Sequence, residues 1–293
     1  MAPGTIFWMQ IEFLGSGGAI ATPVPGMMDQ LNVKARTLGV PYSRFGPCLY
    51  VHGPELLIDT PEEARLALDR AGIMHVPNCL YSHWHPDHVL GRRIFELNRN
   101  WGHWPDTPFC TQVYLPQQVA VDAREHQGLY ETLAFHQSKG LVKIHELRDG
   151  DVFTLNGVTV QPFRLAQDYA YGLLLREHQT RVLVVPDELF EWRPPEFVRK
   201  VELAVLPSGI FETNPRTGKR RIPEHHPIFE SEATFRQTLA IVEQIQPRRV
   251  IFTHIEAIDM VDHDELLMLA EELTASGRYG EVMFAWDTLR VTC

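Results

Sequence analysis

SHWHPDH, residues 82–88, is the stretch on which the reading of this chain turns. Within it His83, His85, Asp87 and His88 bring four metal-competent side chains onto one short loop. Imidazole nitrogen and carboxylate oxygen are the common protein donors for zinc and related ions. Asn78 to Ser82 reads as a short buried strand running straight into His83. Pro86 stiffens the loop, and a helix begins near Asp87 and His88. Four donors so placed can divide between two ions a few ångströms apart. A plain polar surface loop is the alternative, but it would leave clustered His and Asp without partners.

Outward from this loop the pattern is strands in two runs with helices between them. Strands are expected at Ile6 to Leu14, Pro47 to His52, Glu55 to Asp59, Gln112 to Leu115, Val142 to Leu147, Val152 to Leu155 and Val158 to Leu165. More follow at Ala170 to Leu175, Thr180 to Val185, Leu203 to Leu206, Arg249 to Thr253 and Val282 to Val291. Helices are expected at Pro61 to Ala71, Glu232 to Gln244 and His263 to Ala275, with a helical insertion over Gln117 to Ser138. Ala19 to Phe45 is rich in Pro and Gly and reads as a long surface loop. Two sheets packed face to face with helices outside fit this order, although periodicity alone would not choose that architecture over other α/β layers.

Composition bounds the function. The chain has 293 residues, is 44% hydrophobic and 22% charged, and carries a formal net charge of −10. Those proportions suit a folded protein with a sizeable core. The acidic balance makes a nucleic acid a poor default partner. No repeat or linker divides the chain, so residues 1–293 are read as a single domain with the insertion near 117–138. Cys48, Cys79, Cys110 and Cys293 are scattered without a disulfide spacing, as reduced thiols in a cytoplasmic protein would be. The first residues do not read as a signal peptide, and no apolar run approaches the roughly 20 residues of a membrane span. A cytoplasmic location without membrane attachment is expected, and a homodimer is left open.

HWHPDH resembles the hallmark motif of the metallo-β-lactamase superfamily, and the chain supplies similar landmarks in the same order. FLGSGGA (Phe13 to Ala19) looks like the first strand and turn of the ribonuclease Z and cyclic-phosphodiesterase branch. LLIDT contains the early aspartate, Asp59; LVVPDE contains Asp187; IFTHIE contains His254. The resemblance implies a four-layer αββα sandwich of the metallo-β-lactamase type, of mixed α/β (α+β) class. It implies one or two divalent cations: His83 and His85 plus a third ligand at one, Asp87, His88 and His254 at the other, with Asp187 bridging. Asp59 would orient the HWHPDH loop by hydrogen bonds rather than bind metal. Asp87 would orient the attacking water and take its proton. His226, in the cluster Glu224, His225 and His226, would protonate the leaving group.

One departure matters. The family places a histidine, the third ligand of the first metal, after the strand read here as Val158 to Leu165. No histidine stands between His145 and His178. Asp168 is the better replacement, an anionic oxygen being a stronger donor to a dication than the neutral amide of Gln167; a site with no protein ligand there stays open. Oxygen for nitrogen would move preference from zinc toward manganese or iron. The cysteine cluster that binds an extra zinc in the cyclic-phosphodiesterase branch has no counterpart in PGMMDQLNVKAR.

The basic run RTGKRR, with Arg216, Lys219, Arg220 and Arg221, is either a solvated turn or a clamp for a small anion beside the metals. Arg220 and Arg221 are the candidate substrate contacts. The expected activity is hydrolysis of a small anionic phosphodiester, linear or cyclic, by water that a zinc, manganese or iron ion makes nucleophilic. Hydrolysis of a thioester, lactone or amide, ribonuclease activity, and a non-catalytic metal- or ligand-binding role are the competing expectations.

Overall fold

The computed structural model describes residues 9–215 and 217–293. The start of the strand expected from Ile6, the N-terminal residues bearing on a signal peptide, and Arg216 of the basic run lie outside them.

The first half begins with β1 (Gln10–Gly15), whose residues are buried on both faces. Then comes α1 (Gln30–Leu38), a helix inside the stretch expected to be loop throughout. Asp29 caps it by accepting from the Asn32 amide, and Leu31, Asn32 and Ala35 are its buried residues. β2 (Cys48–His52) and β3 (Leu56–Ile58) form a hairpin, and α2 (Ala64–Ala71) ends on a left-handed Gly72. β4 (Asn78–Leu80) leads through the site loop into α3 (Pro86–Val89) and a 3-10 helix, Leu90–Asn98. After β5 (Thr111–Leu115) the insertion proves to be two helices, α4 (Gln117–Glu125) and α5 (Leu129–Ser138). Gln127 (φ 55°) and Gly128 (φ 59°) both adopt left-handed backbone between them, which a continuous helix cannot hold. β6 (Val142–Glu146) completes this half.

The second half runs β7 (Phe153–Leu155), β8 (Val158–Arg164), β9 (Tyr171–Glu177), β10 (Thr180–Val184) and β11 (Leu203–Pro207). It continues through α6 (Phe235–Ile245), β12 (Arg249–Thr253), α7 (His263–Ala275), β13 (Glu281–Phe284) and β14 (Arg290–Thr292). Both long helices start on a reciprocal capping box, Thr234 with Gln237 and Asp262 with Glu265. The segment expected as one closing strand is therefore two. β13 borders the second sheet beside β12, while β14 pairs antiparallel with β1 in the first. The chain changes sheet around the buried Asp287, which accepts from the Ser16 amide and hydroxyl and from the Phe45 amide.

The sheets are ordered β14-β1-β2-β3-β4-β5-β6 and β13-β12-β11-β10-β9-β8-β7. Their facing sides share a core that includes Ile11, Phe13, Leu80, Leu173, Val205 and Ile251. A second core packs α2, α4 and α5 on the outside of the first sheet, and a third packs α6 and α7 on the outside of the second. This is the four-layer αββα sandwich. In each sheet four strands running to one edge are parallel, β3 to β6 and β10 to β13. Their carboxyl ends open on a common crevice, the usual place for a site in an open α/β sheet. Among the described residues no helix is long and apolar enough to cross a membrane.

Candidate metal centre

The side chains of the centre leave the ends of parallel strands or the short α3 that follows β4, where His85 is the cap and Asp87 and His88 lie in the helix. Asp59 follows β3, Ser82 and His83 follow β4, Asp187 and Glu188 follow β10, and His254 follows β12. Asp59 (φ 64°), Glu188 (φ 63°) and His254 (φ 55°) all have left-handed backbone. Non-glycine residues rarely adopt it, and its cost is borne where the surrounding structure dictates the position of a side chain.

Asp59, 1% exposed, organises the first-sheet side. One of its oxygens accepts from the Ser82 amide at 2.7 Å. The other accepts from the Ser82 hydroxyl at 2.6 Å and pairs with His88 Nδ1 at 2.8 Å. Since Ser82 donates to Asp59, its oxygen is left to accept from His83 Nδ1 at 3.0 Å. Both imidazoles then carry hydrogen on Nδ1 and turn Nε2 toward the crevice. The loop is also stitched to Thr60, whose amide donates to the His88 carbonyl while its own carbonyl accepts from Gly91. A Cβ on Gly91 would stand 1.9 Å from the Pro61 carbonyl oxygen, so only glycine fits there.

The atoms facing the crevice lie close without bonding to one another. Asp187 Oδ2 is 3.7 Å from His83 Nε2, 3.8 Å from His88 Nε2 and 3.5 Å from His254 Nε2. Asp87 Oδ2 is 3.2 Å from His88 Nε2 and 3.5 Å from His254 Nε2. His83 Nε2, His88 Nε2, His254 Nε2 and Asp87 Oδ2 are all buried and make no hydrogen bond. A buried polar atom without a partner is costly, and four aimed at one place are what a cation site requires. The donors form three overlapping groups, each within 4.8 Å: His83, His88 and Asp187; Asp87, His88 and His254; His85, Asp187 and Glu188. Imidazoles and carboxylates so grouped, with Asp187 and His88 each common to two groups, suit divalent cations.

Charge at the site is unbalanced without a cation. Burial and the neighbouring His88 and His85 hold His83 well below the usual histidine range. Burial would also lower His88, but Asp87 and Asp59 outweigh it and hold the ring well above that range. His254 likewise resists burial, pushed up to about 10 chiefly by Asp187. Asp87, despite burial, is held well below the carboxylate range by His88 and His254. Burial first, then Asp187, pushes Glu188 up to about 8 and Glu232 up to about 7.

The other expected residues lie apart. Asp168 is exposed, its backbone carbonyl accepting from Arg164, and its carboxylate belongs to none of the donor groups. The loop from β8 to β9 turns out to solvent at Ala166 and Asp168, so the structure does not bring the expected Asp168 ligand to the other donors. His226 is exposed and caps the 3-10 helix Pro227–Glu230, its Nδ1 accepting from the Ile228 amide, and His225 is exposed beside it. Arg221 donates to the Met260 carbonyl, and Arg220 lies 3.8 Å from Glu224. Neither arginine, nor His226, lines the crevice.

The lining joins residues singled out from sequence with others that were not. The crevice holds a cavity of about 240 Å³ whose walls include the expected His85, Asp87, Asp187 and His254 together with Glu188, Glu232 and Glu256 and apolar Ile20, Leu189, Ile210, Ile228 and Ile258. Among the described residues it contains no Arg or Lys. Glu256, two residues after His254, accepts from the amides of Ala19 and Ile20 and stands 3.8 Å from His254 Nδ1. Tyr169 packs its ring against His83, His85 and Trp84. The available signal was proximity in the chain: Glu188 directly follows Asp187, and Glu232 stands two residues before Thr234, the cap of α6.

The fold is widely shared. A diphosphatase of the PhnP family is similar over 97% of this chain and 98% of its own, at 19% identity and a TM-score of 0.66. Zinc-bound PqqB from Methylobacterium extorquens is similar over 97% and 100%, at 14% identity and 0.70. Human tRNase Z, short form, is similar over 97% and 98%, at 14% identity and 0.57. No curated protein matches the sequence. The family model described as the beta-lactamase superfamily domain matches residues 53–255, from the hairpin before Asp59 to just beyond His254. With more than half its length inside that match, the chain belongs to the β-lactamase superfamily.

Proposed function

We propose that this protein is a metal-dependent hydrolase of a small phosphodiester. The observation that carries the reading is the convergence of four buried, unpartnered atoms from opposite sheets: His83 Nε2, His88 Nε2, His254 Nε2 and Asp87 Oδ2. A bound divalent cation would supply Lewis acidity and a water acidic enough to ionise near neutral pH. His83, His85, Asp187 and Glu188 would hold one cation, and Asp87, His88, His254 and Asp187 the other. Asp87 is placed to orient the attacking water and receive its proton. Asp59 keeps the loop in register throughout.

The wall opposite is acidic and apolar. Glu232 presents a half-buried carboxyl on it, whereas the exposed His226, expected to serve the leaving group, does not line the cavity. With no Arg or Lys in the lining among the described residues, the cations would be what offsets substrate charge. That favours the single negative charge of a phosphodiester over the double charge of a monoester. A diphosphatase and a tRNase among the similar folds support phosphorus as the atom attacked. The same lining favours, as a second reading, hydrolysis of an uncharged ester, thioester or lactone.

The test is turnover of bis(4-nitrophenyl) phosphate against 4-nitrophenyl acetate with manganese or zinc added. The diester should be cleaved, and His83→Ala should lose about a thousandfold or more, as expected when the chemistry depends on a cation-activated water. Cleavage of the acetate alone selects the second reading. Equal activity in His83→Ala removes the metal-dependent mechanism.

A further inference from the structure

The first cation position lacks the histidine its family provides, and a different residue reaches it. We propose that Glu188 supplies the missing donor, and that this oxygen makes the position select manganese or iron(II) over zinc. The inference rests on the metal-dependent reading above and specifies one of its ligands.

Glu188 is 4% exposed, and its carboxylate lies within 4.8 Å of donor atoms on His85 and Asp187. Its backbone is held at φ 63°, a conformation that persists only where the surroundings fix it. The Glu188 amide donates to Asp187 Oδ1 at 2.8 Å, locking the two acidic residues together. Tyr169 is close enough to interact with Glu188 electrostatically but carries no positive charge. A buried carboxylate without a cationic partner is strongly disfavoured, and among the described residues no Arg or Lys lines the cavity that could provide one.

The vacancy it would fill is marked independently. His83, 0% exposed, turns an unpartnered Nε2 to within 3.7 Å of Asp187. Asp168, which follows β8 where the family's histidine would stand, belongs to no donor group. Tyr169, in the same loop, covers His83 and His85 with its ring. The position is thus built from two imidazoles and two carboxylates instead of three imidazoles and one carboxylate. Exchanging nitrogen for anionic oxygen hardens a site and lowers its relative preference for zinc.

The test is titration of metal-free protein with manganese chloride, following free Mn²⁺ by its EPR signal, with zinc competition. Wild type should bind two equivalents. Glu188→Gln should bind one, Glu188→His should bind two with a relative preference for zinc raised at least about tenfold, and Asp168→Ala should match wild type. Two equivalents of unchanged affinity in Glu188→Gln, or the loss of one in Asp168→Ala, would overturn the assignment. If Glu188→Gln binds none, Glu188→His decides: recovery of two equivalents supports the role and failure to recover refutes it. Absence of manganese and zinc binding in wild type would instead defeat the metal-dependent reading as a whole.

Discussion

Where the first sheet delivers His83 and His88, a single buried carboxylate, Asp59, fixes both rings through Ser82 and through His88 Nδ1. Where the second sheet delivers Asp187, Glu188 and His254, no such clamp exists. His254 Nδ1 stands 3.8 Å from Glu256, whose oxygens are engaged by the Ala19 and Ile20 amides. Glu188 and Glu232 are carboxyls that their surroundings push toward the protonated form. The first rim is therefore preorganised before any cation arrives, and the second reaches charge balance only with one. Partners that fix the outer nitrogen of a ligating histidine commonly govern affinity as strongly as the ligand itself, so the two rims should respond differently to the same kind of damage.

The largest effect should follow from breaking the finished rim. Asp59→Ala leaves the Ser82 amide, the Ser82 hydroxyl and His88 Nδ1 without their acceptor in a region about 1% exposed. Each abandoned buried group costs roughly 1–3 kcal/mol, so a fall in stability of about 3 kcal/mol or more is expected in urea unfolding. Cation affinity should drop about 10- to 100-fold at both positions, because His83 and His88 lose their orientation together. An affinity within twofold of wild type would show that the rim does not need its clamp.

A smaller, one-sided effect should follow at Gly18. A Cβ built there lies 2.2 Å from Glu256 Oε1 and 2.5 Å from His254 Nδ1. The turn after β1 therefore rests directly on the back of His254, and any side chain must displace it. Gly18→Ala should cost roughly 1–3 kcal/mol, the usual range for overpacking. It should weaken the position formed by Asp87, His88 and His254 while sparing the one that includes His83 and His85. Calorimetric titration with manganese would resolve the two sites; equal weakening of both would mean that the rims are not independent.

The same asymmetry explains what the sequence could reveal. His83, His85, Asp87 and His88 share one loop, so their chemistry is visible in seven letters. Asp187 and His254 were legible because each ends an apolar run that folds as a parallel strand, and strand ends converge. Glu188 and Glu232 were not, since an acidic residue beside a turn or a helix cap ordinarily faces solvent. What buries them is the packing of Leu189, Ile210 and Ile228 around the cavity, a long-range fact. Asp168 was preferred on chain order, but the loop carrying it points outward. In the fold, α1 was missed because Pro23, Pro25 and Gly26 mask the start that Asp29 caps, and the break at Gln127 is set by backbone angles that composition does not show. β13 and β14 looked continuous because the crossing between sheets is held by distant partners of Asp287.

The least effect expected, and the one that isolates the unfinished rim, is a pH dependence of the metal-free protein. Glu188 is pushed up to about 8, Glu232 to about 7, and Asp259, buried behind Glu256, to about 7. A carboxyl whose folded pKa is raised contributes stability that is complete below its unfolded value near 4 and is lost as pH climbs through the folded value. His254, raised to about 10, acts in the same direction, its contribution present below about 6.5 and declining as pH rises toward 10. Asp87 is shifted the opposite way, so its contribution is lost only as pH falls below about 4, outside this window. The second-rim groups thus predict that their own contribution to the stability of the metal-free protein falls between pH 5.5 and pH 8, against the opposite trend of His83, His85, His136, His145 and His263, whose lowered pKa values favour the higher pH. The second-rim part is read as the loss of Tm from pH 5.5 to pH 8 that wild type shows beyond the double variant Glu188→Gln, Glu232→Gln, at least about 1 kcal/mol, or roughly 3 °C for a chain of this size. Saturating manganese should shrink or reverse the difference, because cations then meet the charges on Glu188 and His254, while Asp259, lying outside the donor groups, leaves a residue of the slope. A double variant whose metal-free Tm changes with pH as that of wild type does would mean that these carboxyls are already matched within the fold, and that the second rim is as complete as the first.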